Sequence, residues 1–360
     1  MTMHSGREAL ARSLPGLGVV LLIFFALPPA AFAASVDPGP VRSGHFEFHN
    51  DPWINLHHFL FQWARNGSNR AGNDHRRPVL VHETGDLADL STGERSAWQR
   101  ALRYYRAHLI GGRLLFDRHL IAIRNHLAAN ATGDNPADGL DPALRAILLD
   151  AMPVYRKHWW PAHHAANAAW IRERLIQLKT YESVLAPRLA EAYGGNWPAE
   201  PVRVDVVAYA NWAGAYTTNH PDQITISSTD YQGLQALEIL FHEVSHSTFF
   251  EQRLFRQLAD AFGKYGTSPP NGLAHVIQFV TPAELLRTTL RGRAREIFRS
   301  VGEQVAAREH FRSLYAAVRR HWIPFLQGRT SRSEALEGVA ADLVDRRKAE
   351  KHPGVRSGSG

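Results

Sequence analysis

Apolar residues recur at helical spacing through most of the first half of the chain. Between residues 50 and 63, Trp53, Ile54, Leu56, Phe59, Leu60 and Trp63 mark one face of a helix. Residues 91–126, 142–152 and 165–193 carry the same period, and Ser91 followed by Glu94 forms a capping box ahead of the first of them. The texture changes at Pro201. Residues 202–209, 213–218 and 223–228 are short runs rich in β-branched and aromatic side chains, separated by Asn-Trp and Asn-His-Pro-Asp punctuation. They predict a small antiparallel meander feeding a helix over residues 229–262. Further helices are expected over 273–279, 283–301, 309–326 and 333–344. The fold class implied is α+β and mostly helical, a small antiparallel sheet leading into a central helix.

Composition adds an address and removes several chemistries. The 360 residues are 44% hydrophobic, enough for a substantial core. Residues 1–33 have the form of a signal peptide: Arg7 and Arg12 precede the apolar stretch 19–27, and Ala31-Phe32-Ala33 offers a cleavage site. The expectation is export to the periplasm or the extracellular space, with no stable membrane anchor once the signal is removed. No cysteine is present, so disulfides, thiolate ligands and cysteine nucleophiles are unavailable. Without residues 1–33 the chain carries 39 basic and 33 acidic side chains, a net of +6. The densest basic segment, Arg287 to Arg299, has helical spacing and no aromatics interleaved among its arginines in a stacking pattern, Phe298 being its one aromatic, so no nucleic-acid partner is expected. There is no G-x-S-x-G elbow, no phosphate loop and no dinucleotide fingerprint. The expected organisation is a helical N-terminal lobe over 41–200, a catalytic lobe over 201–345 and a fraying tail over 346–360.

The candidate chemistry centres on His242-Glu243-Val244-Ser245-His246, set in the apolar run from Leu237 to Phe250. On a helix, histidines four apart lie one turn apart on one face and can hold one metal ion. Chance alone would produce such a pentapeptide about 0.05 times in a chain of this composition. Glu243, rotated by about 100° from His242, can sit beside the metal and take a proton from its water. Two histidines leave a catalytic zinc one protein ligand short. Two candidates lie downstream: His275, in an apolar helical stretch, and Glu284, in Thr281-Pro282-Ala283-Glu284, which also reads as a capping box. Both stay open on the sequence. Glu251, about 140° from His246 on a continuous helix, is expected to point away.

A sheet leading into an HExxH helix resembles the zincin zinc metallopeptidase superfamily over about residues 202–290. The resemblance implies Zn2+ held by His242, His246 and a third ligand, a glutamate such as Glu284 in the glutamate-using branch. It implies Glu243 as general base, a peptide or protein substrate, and a sheet edge, here residues 213–218, bordering the cleft and pairing with that substrate. The metzincin branch would need a glycine at Phe249 and a histidine at Gln252 and is disfavoured. The function expected is therefore an exported zinc-dependent hydrolase, most simply a metallopeptidase. Its alternatives are a zinc hydrolase of a non-peptide amide or ester and a non-catalytic exported protein binding a metal or a partner. Two further polar clusters, Asn50, Asn55, His57 and His58 on one helix and Trp159, Trp160, His163, His164 and Asn167 on another, are read as hydrogen-bonding groups rather than catalysts.

Overall fold

β-Branched residues supply the strands at the centre of the computed structural model, which describes residues 39–66, 86–133 and 135–351. Five strands pair in the order β1-β2-β3-β5-β4: β1 Val41–Arg42, β2 Phe46–His49, β3 Val202–Val207, β4 Ala215–Thr218 and β5 Gln223–Ser227. β2 and β3 are parallel (Phe48 opposite Val204), as are β3 and β5 (Asp205 opposite Thr225), while β4 runs antiparallel to β5 (Thr217 opposite Ile224). The antiparallel meander expected from the sequence is thus a mixed sheet. β3 is covered on both faces, Val204 and Val206 on one and Asp205 and Val207 on the other. A doubly covered strand takes an interior place between parallel neighbours, and β4 falls to the edge beyond β5.

Helices cover the sheet on both sides. Toward one face, Phe46, Phe48, Val204, Val206, Ile224 and Ile226 join one core with α5 (Trp160–Ala192), α6 (Gly233–Val244), α7 (Thr248–Gly263), α8 (Leu273–Thr289) and the last helix, Arg332–Lys351. Toward the other lie α1 (Pro52–Asn66), α2 (Thr92–His108), α3 (Arg118–Ala129) and α4 (Pro142–His158), whose aromatic core includes Phe59, Trp98, Tyr105 and Trp159. Both cores draw residues from either side of position 200, and the chain from Gly39 onward groups as one compact unit. Ser91 and Glu94 form the capping box expected at the start of α2. The helical pattern over 91–126, however, is split. α2 ends at His108, and Asp117 restarts the chain as α3 by accepting from the amides of His119 and Leu120.

The sheet face toward α1 and α3 is polar. Arg124 of α3 reaches Asp205 at 2.6 Å with both side chains buried, and it also bonds Thr218 and Gln223. Burial pushes the Asp205 carboxyl up, but Arg124 and Arg203 outweigh it and hold it below its ordinary value. His58 bridges Ile54 O and the Tyr216 hydroxyl, and His57 meets the Tyr105 hydroxyl. Asn55 and Asn167 tie α1 and α5 to Val206 O. Asn55, His57, His58 and Asn167 are thus core hydrogen-bonding groups that tie helices to the sheet and to one another.

Two expectations about the ends of elements change. Residues 273–279 and 283–301 belong to one helix as far as Thr289, which passes through Pro282, before α9 (Gly292–Ile297) and α10 (Val301–Ala306). Residues 346–351, expected to fray, continue the final helix, Arg332–Lys351. The leader and the last nine residues lie outside the described residues; among the described residues no helix is long and apolar enough to cross a membrane.

Candidate metal centre

α6 carries Glu238, Ile239, Leu240, Phe241, His242, Glu243 and Val244 into the interior, all buried. The helix stops at Val244, between the two histidines. Amides 245, 246 and 247 bond carbonyls three residues back rather than four, and the hydroxyls of Ser245 and Ser247 bond His242 O and Val244 O at 2.6 Å. Serine side chains that compete for backbone acceptors favour such a break. α7 then restarts at Thr248, whose amide and hydroxyl are both taken by Asp222. The single helix expected over 229–262 is therefore two helices joined by a tight turn.

The break preserves the pairing of the rings. His242 Nε2 and His246 Nε2 lie 3.4 Å apart. α8 brings His275 against both, with ring centroids 5.6 Å from His242 and 5.1 Å from His246. One nitrogen from each of the three falls within 4.8 Å of the others. α8 is set there by Gly272, whose φ of 84° is left-handed and whose missing side chain makes room for Phe311; a Cβ would come within 2.9 Å of that ring. Gly302 of α10 packs on Phe279 O of α8 in the same way, at 2.3 Å from an added Cβ. Phe279 lies flat against His242, 4.0 Å between centroids and 8° between planes.

Hydrogen bonds fix which nitrogens face inward. His242 Nδ1 lies 3.0 Å from Gln278 O, and a carbonyl only accepts, so Nδ1 carries the proton and Nε2 is bare. His246 Nδ1 lies 3.2 Å from Glu251 Oε1, an acceptor that likewise calls for a proton on Nδ1. The two Nε2 atoms face each other at 3.4 Å, where a proton or a metal ion between them relieves the repulsion of their lone pairs. Bonds of 2.0–2.1 Å at a tetrahedral angle place two zinc ligands about 3.3–3.4 Å apart, which is the spacing of the His242 and His246 Nε2 atoms. Burial, with His246 and His275 adding to it, drives the His242 pKa well below its ordinary value. Burial and then His246 push His275 down to about 3. Neutral imidazoles are the form that binds metal.

Glu243 is buried beside this cluster. Thr217 Oγ1 of β4 lies 2.8 Å from its Oε2 and 2.7 Å from its backbone oxygen, and one hydroxyl proton serves one of these at a time. Burial raises the carboxyl above its ordinary value, against the opposing pull of His246 and of Thr217. Solvent reaches the cluster on the His246 side, where that side chain is 23% and Glu251 24% exposed.

Glu284 lies elsewhere, its carboxylate taken by Arg287 at 2.9 Å and Gln327 at 2.7 Å. Nor does it belong to a capping box: Thr281, inside α8, donates to Ile277 O and accepts from Trp322 Nε1. Glu251, expected to point away, turns in to His246, because the break reorients α7. β4 is the sheet edge, but all four of its residues are buried, which leaves little backbone for a peptide to pair with. Sequence reasoning did not single out Gln278, Phe279 or Thr217. The first two share the helical face of His275, at spacings of three and four, a signal present once His275 is weighed. Thr217 carried none. Searches of family models, of curated proteins and of solved structures found no match to this chain.

Proposed function

We propose that the protein is a zinc-dependent hydrolase in which His242, His246 and His275 hold the ion and Glu243 is the general base. The observation that carries this reading is the pair of His242 and His246 Nε2 atoms at 3.4 Å, each ring with its Nδ1 turned to an acceptor and His275 beside them. Bound there, zinc would supply Lewis acidity toward a substrate carbonyl and acidify a water.

The protein's own residues account for the rest. Glu243 Oε2 is held by Thr217, and Oε1 has no hydrogen-bond partner among the described residues, so Oε1 is the atom that takes the proton. A carboxyl raised by burial is a stronger base toward that water than an ordinary one, and once protonated it can still pass the proton to a leaving amine or alkoxide. Phe279, flat on His242, shields the far side of the cluster from water. Substrate enters from the exposed His246 side.

A peptide bond is the leading substrate, in keeping with the resemblance of the motif to zincins. The buried β4 edge favours a second reading, hydrolysis of a compact amide or ester that needs no strand pairing. The basic-then-apolar leader supports action outside the cytoplasm.

Metal analysis of purified protein beside His242→Ala and His275→Ala tests the site, and hydrolysis of peptide and ester panels by Glu243→Gln tests the chemistry. Stoichiometric zinc lost in both histidine variants is expected. Absence of metal in the wild type after zinc reconstitution rejects the reading, since a proton on His246 would then fill the gap between the rings.

A further inference from the structure

Pro282 lies inside α8, four residues after Gln278. A residue with an amide proton at that position would donate to Gln278 O, the ordinary bond of a helix interior. Proline removes that donor, and its ring crowds the same carbonyl. The acceptor so released is the one that His242 Nδ1 uses at 3.0 Å. Gln278 also acts through its side chain: Nε2 donates to Ser245 O at 2.9 Å, in the turn between the two histidines, and lies 3.5 Å from Glu251 Oε1. The same Glu251 oxygen accepts from His246 Nδ1. In a continuous helix Glu251 would face about 140° away from His246, so the break that Gln278 clasps is what brings this carboxylate under the ring.

We propose that Pro282, Gln278 and Glu251 form one positioning device that fixes the tautomers of His242 and His246 and turns both Nε2 atoms toward a common centre. None of the three touches the reacting atoms. The inference rests on the metal-site reading above, yet it makes a claim about the metal-free protein as well: both rings carry their proton on Nδ1 before any ion arrives. Outer partners of ligand histidines typically contribute about 10- to 100-fold in metal affinity.

The test uses the whole mature chain, wild type beside Glu251→Ala, Glu251→Gln and Pro282→Ala. Two readouts are taken: zinc affinity by competition with a chromophoric chelator, and histidine tautomers in the metal-free protein by two-bond 1H–15N correlation in mildly alkaline buffer. Glu251→Ala is expected to lose about 10- to 100-fold in affinity and the Nδ1–H tautomer of His246. Glu251→Gln, whose amide oxygen still accepts, should keep that tautomer and most of the affinity. Pro282→Ala should weaken zinc binding and the Nδ1–H state of His242 while circular dichroism shows the helix content retained. Wild-type zinc affinity with unchanged tautomers in both Glu251→Ala and Pro282→Ala overturns the positioning device and leaves the metal site standing. A wild type that binds no zinc fails the metal-site reading, and Nε2–H tautomers in that same protein overturn the device with it.

Discussion

Replacing His275 with alanine should change stability in opposite directions depending on metal and pH. With zinc at a concentration about 100 times the dissociation constant, binding stabilises the fold by about 2.7 kcal/mol. A variant that loses 100-fold in affinity forfeits nearly all of this. For a chain of this size the loss corresponds to about 3–4 °C in melting temperature. Without zinc the sign is set by proton linkage. The folded protein keeps His275 neutral down to about 3, against an ordinary value of 6.5, so between those limits the unfolded chain binds more protons. The stability tied to this depressed value is present above pH 6.5 and is lost as pH falls toward 3, at about 1.4 kcal/mol per pH unit and up to about 5 kcal/mol in all. His275→Ala lacks that loss. Thermal melts of both proteins with zinc at pH 7.5 and with chelator at pH 7.5 and 5 give the answer: the variant should melt lower with zinc, and its metal-free form should lose less on acidification. An equal zinc-induced shift in both proteins refutes the third-ligand assignment, and equal acid loss refutes the buried neutral imidazole.

Glu284→Ala is the contrasting variant: Arg287 and Gln327 lose their acceptor, so stability should fall by about 1–3 kcal/mol while zinc stoichiometry, by mass spectrometry, stays at the wild-type value. Glu243→Gln should keep its zinc and lose about 10²- to 10⁴-fold in kcat, read on whichever substrate the wild type turns over. Thr217→Val removes a hydrogen bond that lowers the Glu243 pKa. The acid limb of the kcat/KM profile, which rises as this base deprotonates, should therefore move to higher pH. Arg124→Met leaves the buried Asp205 carboxylate to Arg203 alone and should cost up to about 3 kcal/mol in denaturant unfolding, with zinc content unaffected in the folded fraction.

The parts legible from sequence were those whose signals are local. His242, Glu243 and His246 stand out by spacing, α2 by its capping box, α1 by its apolar face. The order of the sheet was not legible, because whether β3 neighbours β4 or β5 depends on what covers its two faces, and Arg124 and Asp205 lie 81 positions apart. Which of His275 and Glu284 lies beside the two histidines was likewise decided by tertiary packing. Arg287 lies on the same helix as Glu284, but Gln327 comes from 43 positions away and takes up its other oxygen.

Two local signals that misled the reading of elements have a common cause. Thr281-Pro282-Ala283-Glu284 has the composition of a helix start, and a proline in a helix interior is costly. The run from Leu237 to Phe250 has the composition of an unbroken helix, yet two serines end it. Each departure supplies something the histidine cluster uses: Pro282 leaves Gln278 O free for His242, and the turn at Ser245 to Ser247 swings Glu251 to His246. Where local preference and observed structure conflict, a functional or strained site is the usual reason. Here both conflicts border the same three rings. A structural metal would need only neutral imidazoles. Local stability given up on two separate helices, to fix which nitrogen of each ring faces inward, fits a site where orientation matters to chemistry, and it is why the hydrolase reading is preferred over metal storage or partner binding.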